Sequence, residues 1–178
     1  AELSKNLPEN VIIANGSVTS GGALHHSVQF DKAGSLYGGR GGALGWGMGG
    51  TLGIKLANPD SPVVGVIGDG SAMMTIQALW TAAAENIPVV YVICNNGVYR
   101  VLKVNMNMYK ELVLKGEAPP SKYIGMDFSQ PFDMAGIAKS MGVYSRRIED
   151  PNQIAPALEE ALNLDSPALL DVIIDPAL

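Results

Sequence analysis

"VIGDGSA", residues 66–72, closes an unbroken apolar run that begins at Val63 and stops abruptly at Gly68, Asp69 and Gly70. A strand that is apolar at every position is covered on both faces, as happens in a parallel sheet sandwiched between helices. The carboxylate between two glycines then stands at the carboxyl tip of a buried strand. A helix is expected directly after it, with Ser71 as N-cap and Ala72 as its first residue.

The same alternation extends outward in both directions. Residues 11–14 read as a short strand and 20–30 as a helix. The glycine-rich stretch "YGGRGGALGWGMGG" (37–50) runs into a helix that ends near Ala57. "SPVVGVI" (61–67) is a strand entered through Pro62, where a missing N–H is tolerated. Residues 72–86 read as one helix, with Ile76, Leu79, Trp80 and Ala83 at i, i+3, i+4 and i+7. Residues 87–95 form the next strand. Leu102, Met106, Tyr109 and Val113 mark an amphipathic helix over 101–115, and "GEAPPSKY" (116–123) is a loop. A helix (131–141), a strand (143–148), a helix (151–163) and a last strand (168–175) complete the chain. The pattern predicts an α/β fold with a doubly wound, mostly parallel sheet and helices on both faces. In such sheets ligands bind beyond the carboxyl ends of the strands.

The 178 residues suit one domain, 1–178, large enough to bury a sizeable core. Only 16% of residues are charged, a low density that points to surface reserved for a partner. The formal charge of −5 argues against a nucleic-acid ligand. The densest basic stretch, Lys103 to Lys122, also holds Glu111 and Glu117 and reads as a solvated face. The single cysteine, Cys94, cannot form a disulfide within the chain and is read as a small buried residue rather than a nucleophile; a reducing, cytoplasmic location is expected. No apolar run reaches the roughly 18 residues of a membrane span, and no signal-peptide pattern is visible. The chain begins at Ala1, which fits initiator removal or excision from a longer protein.

Asp69 has two readings. It belongs to a helix start, where Asp and Ser serve as caps without any ligand. The flanking glycines favour the second. Without Cβ, Gly68 and Gly70 let the backbone turn sharply and approach a ligand closely. Free N–H groups at a helix start suit a phosphate. A carboxylate beside a phosphate repels it unless a cation bridges them, and Mg²⁺ with its oxygen ligands is the natural bridge. Asn95 and Asn96 end the next strand and offer amide oxygens; the turn at Gly97 and Val98 exposes carbonyls.

Asp69 and Asn96 lie 27 positions apart. This Gly-Asp-Gly followed at that distance by Asn-Asn resembles the motif of the thiamine diphosphate-dependent enzymes. The text "GDGSAMMTIQALWTAAAENIPVVYVICNNGVY" is similar to their decarboxylase and acetohydroxyacid synthase branch, benzoylformate decarboxylase included. The resemblance covers nearly the whole chain as one diphosphate-binding (PP) domain. It implies that Asp69 and Asn96 ligate Mg²⁺ by side chain and Val98 by its carbonyl. It places Gly68, Gly70, Ser71, Asn96, Val98 and Tyr99 at thiamine diphosphate, joined by Thr19 and Ser20 from the loop "NGSVTSGG". Asn95 shapes the turn. Thr19 and Ser20 alternatively cap a helix.

"GWGMGG" (45–50) fits G-x-G-x-x-G, but a dinucleotide fingerprint needs a strand just before it, and only "SLY" precedes these glycines. Close helix packing and backbone access explain them better. The resemblance assigns Gly42 a carbonyl contact to the cofactor's exocyclic amine. Leu44 becomes the wedge that keeps the cofactor bent, with ordinary core as its alternative. His25 and His26 are adjacent, a poor chelate on a helix, and read as surface or partner contacts; Arg40 and Trp46 are further candidates to meet a partner. Leu102 and Asn105 fall where relatives line the substrate pocket.

The resemblance implies a 2-oxo acid decarboxylase, with a carboligase of the acetolactate synthase type as the alternative. A non-catalytic module or an unrelated nucleotide-binding protein are the readings outside it. No acid–base residue is assigned in this chain. The activating glutamate is expected from a pyrimidine-binding (PYR) domain, in the same full-length protein or on a separate subunit, within a homo- or hetero-oligomer. The chain alone is then half of an active site.

Overall fold

The structure, a computed structural model, describes residues 2–115 and 123–177; the loop expected over 116–123 lies outside the described residues except for Tyr123. In chain order the elements are α1 (Glu2–Lys5), β1 (Ile12–Gly16), α2 (Thr19–Ser27), β2 (Leu36–Gly38), α3 (Trp46–Ala57), β3 (Val63–Gly68), α4 (Asp69–Ala72), α5 (Ala78–Ala84), β4 (Val90–Asn95), α6 (Arg100–Leu112), α7 (Met134–Ser140), β5 (Tyr144–Ile148), α8 (Ile154–Leu162) and β6 (Ala168–Ile173). Short 3₁₀ turns occupy Arg40–Gly42 and Pro151–Gln153.

The six strands form one sheet in the order β2-β1-β3-β4-β6-β5, and every neighbouring pair is parallel. This is the doubly wound α/β sheet that the apolar runs predict. β3 and β6 are buried over their first five residues because helices cover both sheet faces. Met48 and Leu52 of α3, Leu79 of α5 and Met134 of α7 pack on one face. Leu24 of α2 and Ala157 and Leu158 of α8 pack on the other. β1 leads by way of α2 to the sheet edge at β2, and α3 returns the chain on the opposite face to β3. The crevice between β1 and β3 is therefore the switch point where such sheets take ligands.

Two contacts set α3 against the sheet. Tyr91 is fully buried, and its hydroxyl donates to the Met48 carbonyl at 2.8 Å. A Cβ on Gly47 would stand 3.1 Å from the Gly16 Cα, so the glycines of this stretch do permit close helix packing.

Four sequence expectations need correction. Residues 72–86 are not one helix: α4 ends at Ala72, turns follow, and α5 begins at Ala78. Leu79 faces the core, but Trp80 is 64% exposed. "SLY" contains a strand after all, β2, whose three residues pair with β1 from Leu36 opposite Ile13. The amphipathic helix expected over 101–115 is present as α6 but ends at Leu112, and its stripe is left uncovered: Leu102, Tyr109 and Val113 are exposed, and the buried residue of that helix is Lys103, paired with Asp127. Cys94 is only partly buried.

Candidate metal and cofactor site

β3 and β4 run side by side with Gly68 opposite Cys94, so the segments leaving their carboxyl ends emerge together. Asp69 is buried and accepts two backbone hydrogen bonds, Oδ1 from Gly70 and Oδ2 from Gly97, each at 2.8 Å. The second bond reaches across from the strand end of β3 to the turn after β4. Gly97 sits there at φ 64°, a conformation that favours glycine. Asn96 Oδ1 accepts from Val98 N–H at 3.1 Å, which tightens the same turn.

An isolated antiparallel pairing of Val98 with Asp127 holds the far side of the turn. Its bonds run from Tyr99 N–H to the Met126 carbonyl (2.8 Å) and from Phe128 N–H to the Gly97 carbonyl (3.0 Å). These flank the pair and leave the Val98 carbonyl outside the bridge. Asp69, Asn96 and Val98 all border one cleft. Among the described residues no group of three His, Cys, Asp or Glu side chains could hold a metal ion. A cation here would rest on one carboxylate and neutral oxygens, a donor set that suits Mg²⁺ already carrying phosphate oxygens. The residues fit that group.

Burial raises the Asp69 carboxyl above its ordinary pKa; the Gly70 and Gly97 N–H groups pull it back, and the Asp171 charge adds to the rise. Such a carboxylate gains when a cation arrives.

The cleft also gathers Thr19, Ser20, Leu44, Gly68, Gly70, Ser71 and Tyr99. Ser71 lies inside α4 rather than capping it, and its Oγ accepts from Gly45 N–H at 3.0 Å, tying the glycine-rich stretch to the cleft floor. Gly68 and Gly70 are not among the residues of positive φ, so no left-handed backbone calls for glycine there. Their role is space: a Cβ on Gly70 would come within 2.8 Å of the Tyr99 ring, whereas one on Gly68 would meet nothing within 4 Å. Thr19 and Ser20 do not cap α2, whose start lies at Val18 without a side-chain cap. Leu44 is 50% exposed at the cleft and is not core.

Gly42 ends the 3₁₀ turn Arg40–Gly42 at φ 70°, exposed and outside the cleft wall. Leu102 and Asn105 are exposed on α6 and also lie outside it. His25 and His26 are surface residues, as is Arg40; Trp46 packs over Gly39 and Gly50 instead of standing free.

The sequence reading missed two residues. Asp171, fully buried on β6, accepts from Asn95 Nδ2 at 2.9 Å; the same Nδ2 donates to the Phe132 carbonyl at 3.0 Å. Asn95 thus anchors the turn after β4 to the sheet. The signal was a lone carboxylate inside the apolar run of residues 168–174. Arg100, at the start of α6, borders the cleft as well. Cys94 lies beside it, its thiol pushed up to about 11 by burial, which argues against a nucleophile.

Known proteins resemble the chain over nearly its whole length. Residues 16–172 match the family model "Thiamine pyrophosphate enzyme, C-terminal TPP binding domain". The chain is 37% identical over 170 residues to "Putative acetolactate synthase large subunit IlvX" of Mycobacterium tuberculosis, covering 94% of this chain and 32% of that protein. It is 32% identical over 165 residues to benzoylformate decarboxylase of Pseudomonas aeruginosa, covering 93% of this chain and 29% of that one. The structure of a thiamine diphosphate-dependent 4-hydroxybenzoylformate decarboxylase from Rhodococcus jostii superposes with a TM-score of 0.86 and 32% identity, over 98% of this chain and 31% of that one. The chain thus spans about a third of the length of these relatives. It belongs to the family of C-terminal TPP-binding domains of thiamine pyrophosphate enzymes.

Proposed function

We propose that this chain is the Mg²⁺-dependent thiamine diphosphate-binding domain of a 2-oxo acid decarboxylase of the benzoylformate decarboxylase type. The observation that carries the reading is the bond from Gly97 N–H to Asp69 Oδ2, which fixes the carboxylate after β3 against the oxygen donors of the turn after β4. Asp69, Asn96 Oδ1 and the Val98 carbonyl hold the cation. The hydroxyls of Thr19, Ser20 and Ser71 meet diphosphate oxygens. Gly68 leaves room for them, and Tyr99 packs against Gly70 to wall the site. Leu44, at the cleft, would support the cofactor's rings, and Gly42, two residues before it in the chain, would offer a carbonyl to the pyrimidine amine. When bound, thiamine diphosphate supplies the nucleophilic carbon and the electron sink for decarboxylation. The chain's own part is to bind, orient and exclude water.

The activating glutamate comes from a PYR domain, on the same full-length protein or on another subunit of an oligomer. The support is the exposed apolar surface of α6 at Leu102, Val104, Met108 and Tyr109, together with relatives about three times as long. Leu102 and Asn105 complete a substrate pocket once that domain docks. By itself the chain binds cofactor weakly and turns over little substrate. Among the described residues no helix is long and apolar enough to cross a membrane. The single Cys94 accords with a cytoplasmic setting.

Identity to an acetolactate synthase large subunit favours a carboligase as the second reading. Product analysis of the completed enzyme separates the two: a released aldehyde or a joined 2-hydroxy-3-oxo acid. The binding role itself is tested by calorimetry with thiamine diphosphate, with and without Mg²⁺.

A further inference from the structure

Arg100 carries two local costs that the packing of α6 does not explain. As the first residue of a 13-residue helix it sets a positive charge against the helix dipole, and no acidic residue stands in that turn to compensate. Its Nε is buried and has no hydrogen-bond partner. A buried polar group in that state is destabilising and calls for a ligand. Among the described residues no carboxylate forms an ion pair with it, whereas Lys103, one turn on, is paired with Asp127.

The position of the side chain indicates the ligand. Arg100, Thr19, Ser20 and Cys94 border both the cleft and an apolar cavity beneath α2. Arg100 therefore stands at the border of the two, together with Thr19 and Ser20, the residues that open α2. The first turn of α2 has no side-chain cap, so two helix starts and one guanidinium converge on one edge of the cleft. Each favours negative charge. A diphosphate chelated to a dication next to the Asp69 carboxylate keeps a net negative charge. A cation is wanted there, and the motif residues supply none.

We infer that Arg100 is a further binding residue of this site, taking an oxyanion of the terminal phosphoryl group. The inference rests on the proposed function. The other source of the same chemistry is the carboxylate of a 2-oxo acid substrate.

Calorimetry on the chain tests it with four probes: inorganic pyrophosphate, thiamine diphosphate, thiamine monophosphate and benzoylformate, each with Mg²⁺. The variants are Arg100→Gln and Arg100→Lys. The expected result is that Arg100→Gln weakens pyrophosphate and thiamine diphosphate about tenfold, with a smaller effect on the monophosphate, and that Arg100→Lys restores part of the loss. The unliganded Arg100→Gln protein melts no lower than wild type, because an unfavourable charge has gone; a merely structural arginine would give a lower midpoint. Unchanged pyrophosphate affinity in Arg100→Gln, beside a wild type that binds it with Mg²⁺, overturns the inference and leaves the reading of the site standing. A loss confined to benzoylformate overturns it too and assigns Arg100 to the carboxylate. A wild type that shows no Mg²⁺-dependent binding overturns both.

Discussion

Gly97 donates its N–H to Asp69 Oδ2 at 2.8 Å, so the turn after β4 and the carboxylate after β3 form one unit. The carboxylate stays ready at a cost, since burial raises its pKa. The folded chain holds the Asp69 proton more tightly than the unfolded chain, whose reference value is 3.8. The Asp69 contribution to stability is thus full below that value and is lost as pH rises through the folded value. Metal binding runs the other way, because the carboxyl must give up its proton. Thermal melts between about pH 4 and pH 7 should show the metal-free midpoint falling, relative to the Mg²⁺ and thiamine diphosphate-loaded midpoint, as pH rises. A gap that narrows with pH contradicts the assignment.

Asn95→Ala removes the side-chain donor to the buried Asp171 carboxylate, which keeps the Ala135 and Met134 backbone N–H groups and Arg147 at 3.7 Å from Oδ2. A loss of about 2–3 kcal/mol is expected in urea unfolding. Asp171→Asn keeps an acceptor for Asn95 and removes a charge that burial disfavours. It should cost less than Asn95→Ala at neutral pH. A cost for Asp171→Asn equal to or above that of Asn95→Ala would contradict this account of the pair.

Two glycines separate packing from binding. At Gly47 a Cβ meets the Gly16 Cα at 3.1 Å and Ile67 Cδ1 at 3.2 Å, so Gly47→Ala should destabilise by about 1–3 kcal/mol. At Gly68 a Cβ meets nothing within 4 Å, and the φ of −73° suits any residue. Gly68→Ala should unfold within about 0.5 kcal/mol of wild type yet bind thiamine diphosphate at least tenfold more weakly. Wild-type affinity in Gly68→Ala would remove that position from the cofactor site.

The Cys94 thiol, pushed up to about 11, should react slowly with iodoacetamide near pH 8 and faster only as pH approaches that value. Rapid alkylation at neutral pH would show that the thiol is activated instead.

The parts of the molecule legible in its sequence are those where local pattern and tertiary burial agree. β3, β4 and β6 are apolar along most of their length because both faces are covered, and their ends place Asp69 and Asn96 together. The errors fall where tertiary context overrides pattern. Thr75 donates its hydroxyl to the Gly45 carbonyl and so belongs to a loop that binds the glycine-rich stretch, breaking an otherwise plausible helix. β2 spans three residues and owes its existence to pairing with β1, which leaves no periodic trace. The stripe on α6 has the right spacing for a core face, but nothing in the spacing says which surface covers it. Asp171 and Arg100 were passed over because neither lies in a motif; one shows itself by burial, the other by an unpartnered nitrogen.

The account depends above all on Asp69 and Asn96 gripping one divalent ion against a diphosphate. Calorimetric titration of thiamine diphosphate into wild type, Asp69→Ala and Asn96→Ala, each with and without Mg²⁺, measures this directly. The account predicts metal-dependent binding in wild type, none in Asp69→Ala, and a loss of about 1–2 kcal/mol or more in Asn96→Ala. Equal affinity with and without Mg²⁺ in wild type, or metal-dependent binding that survives in Asp69→Ala, would contradict it.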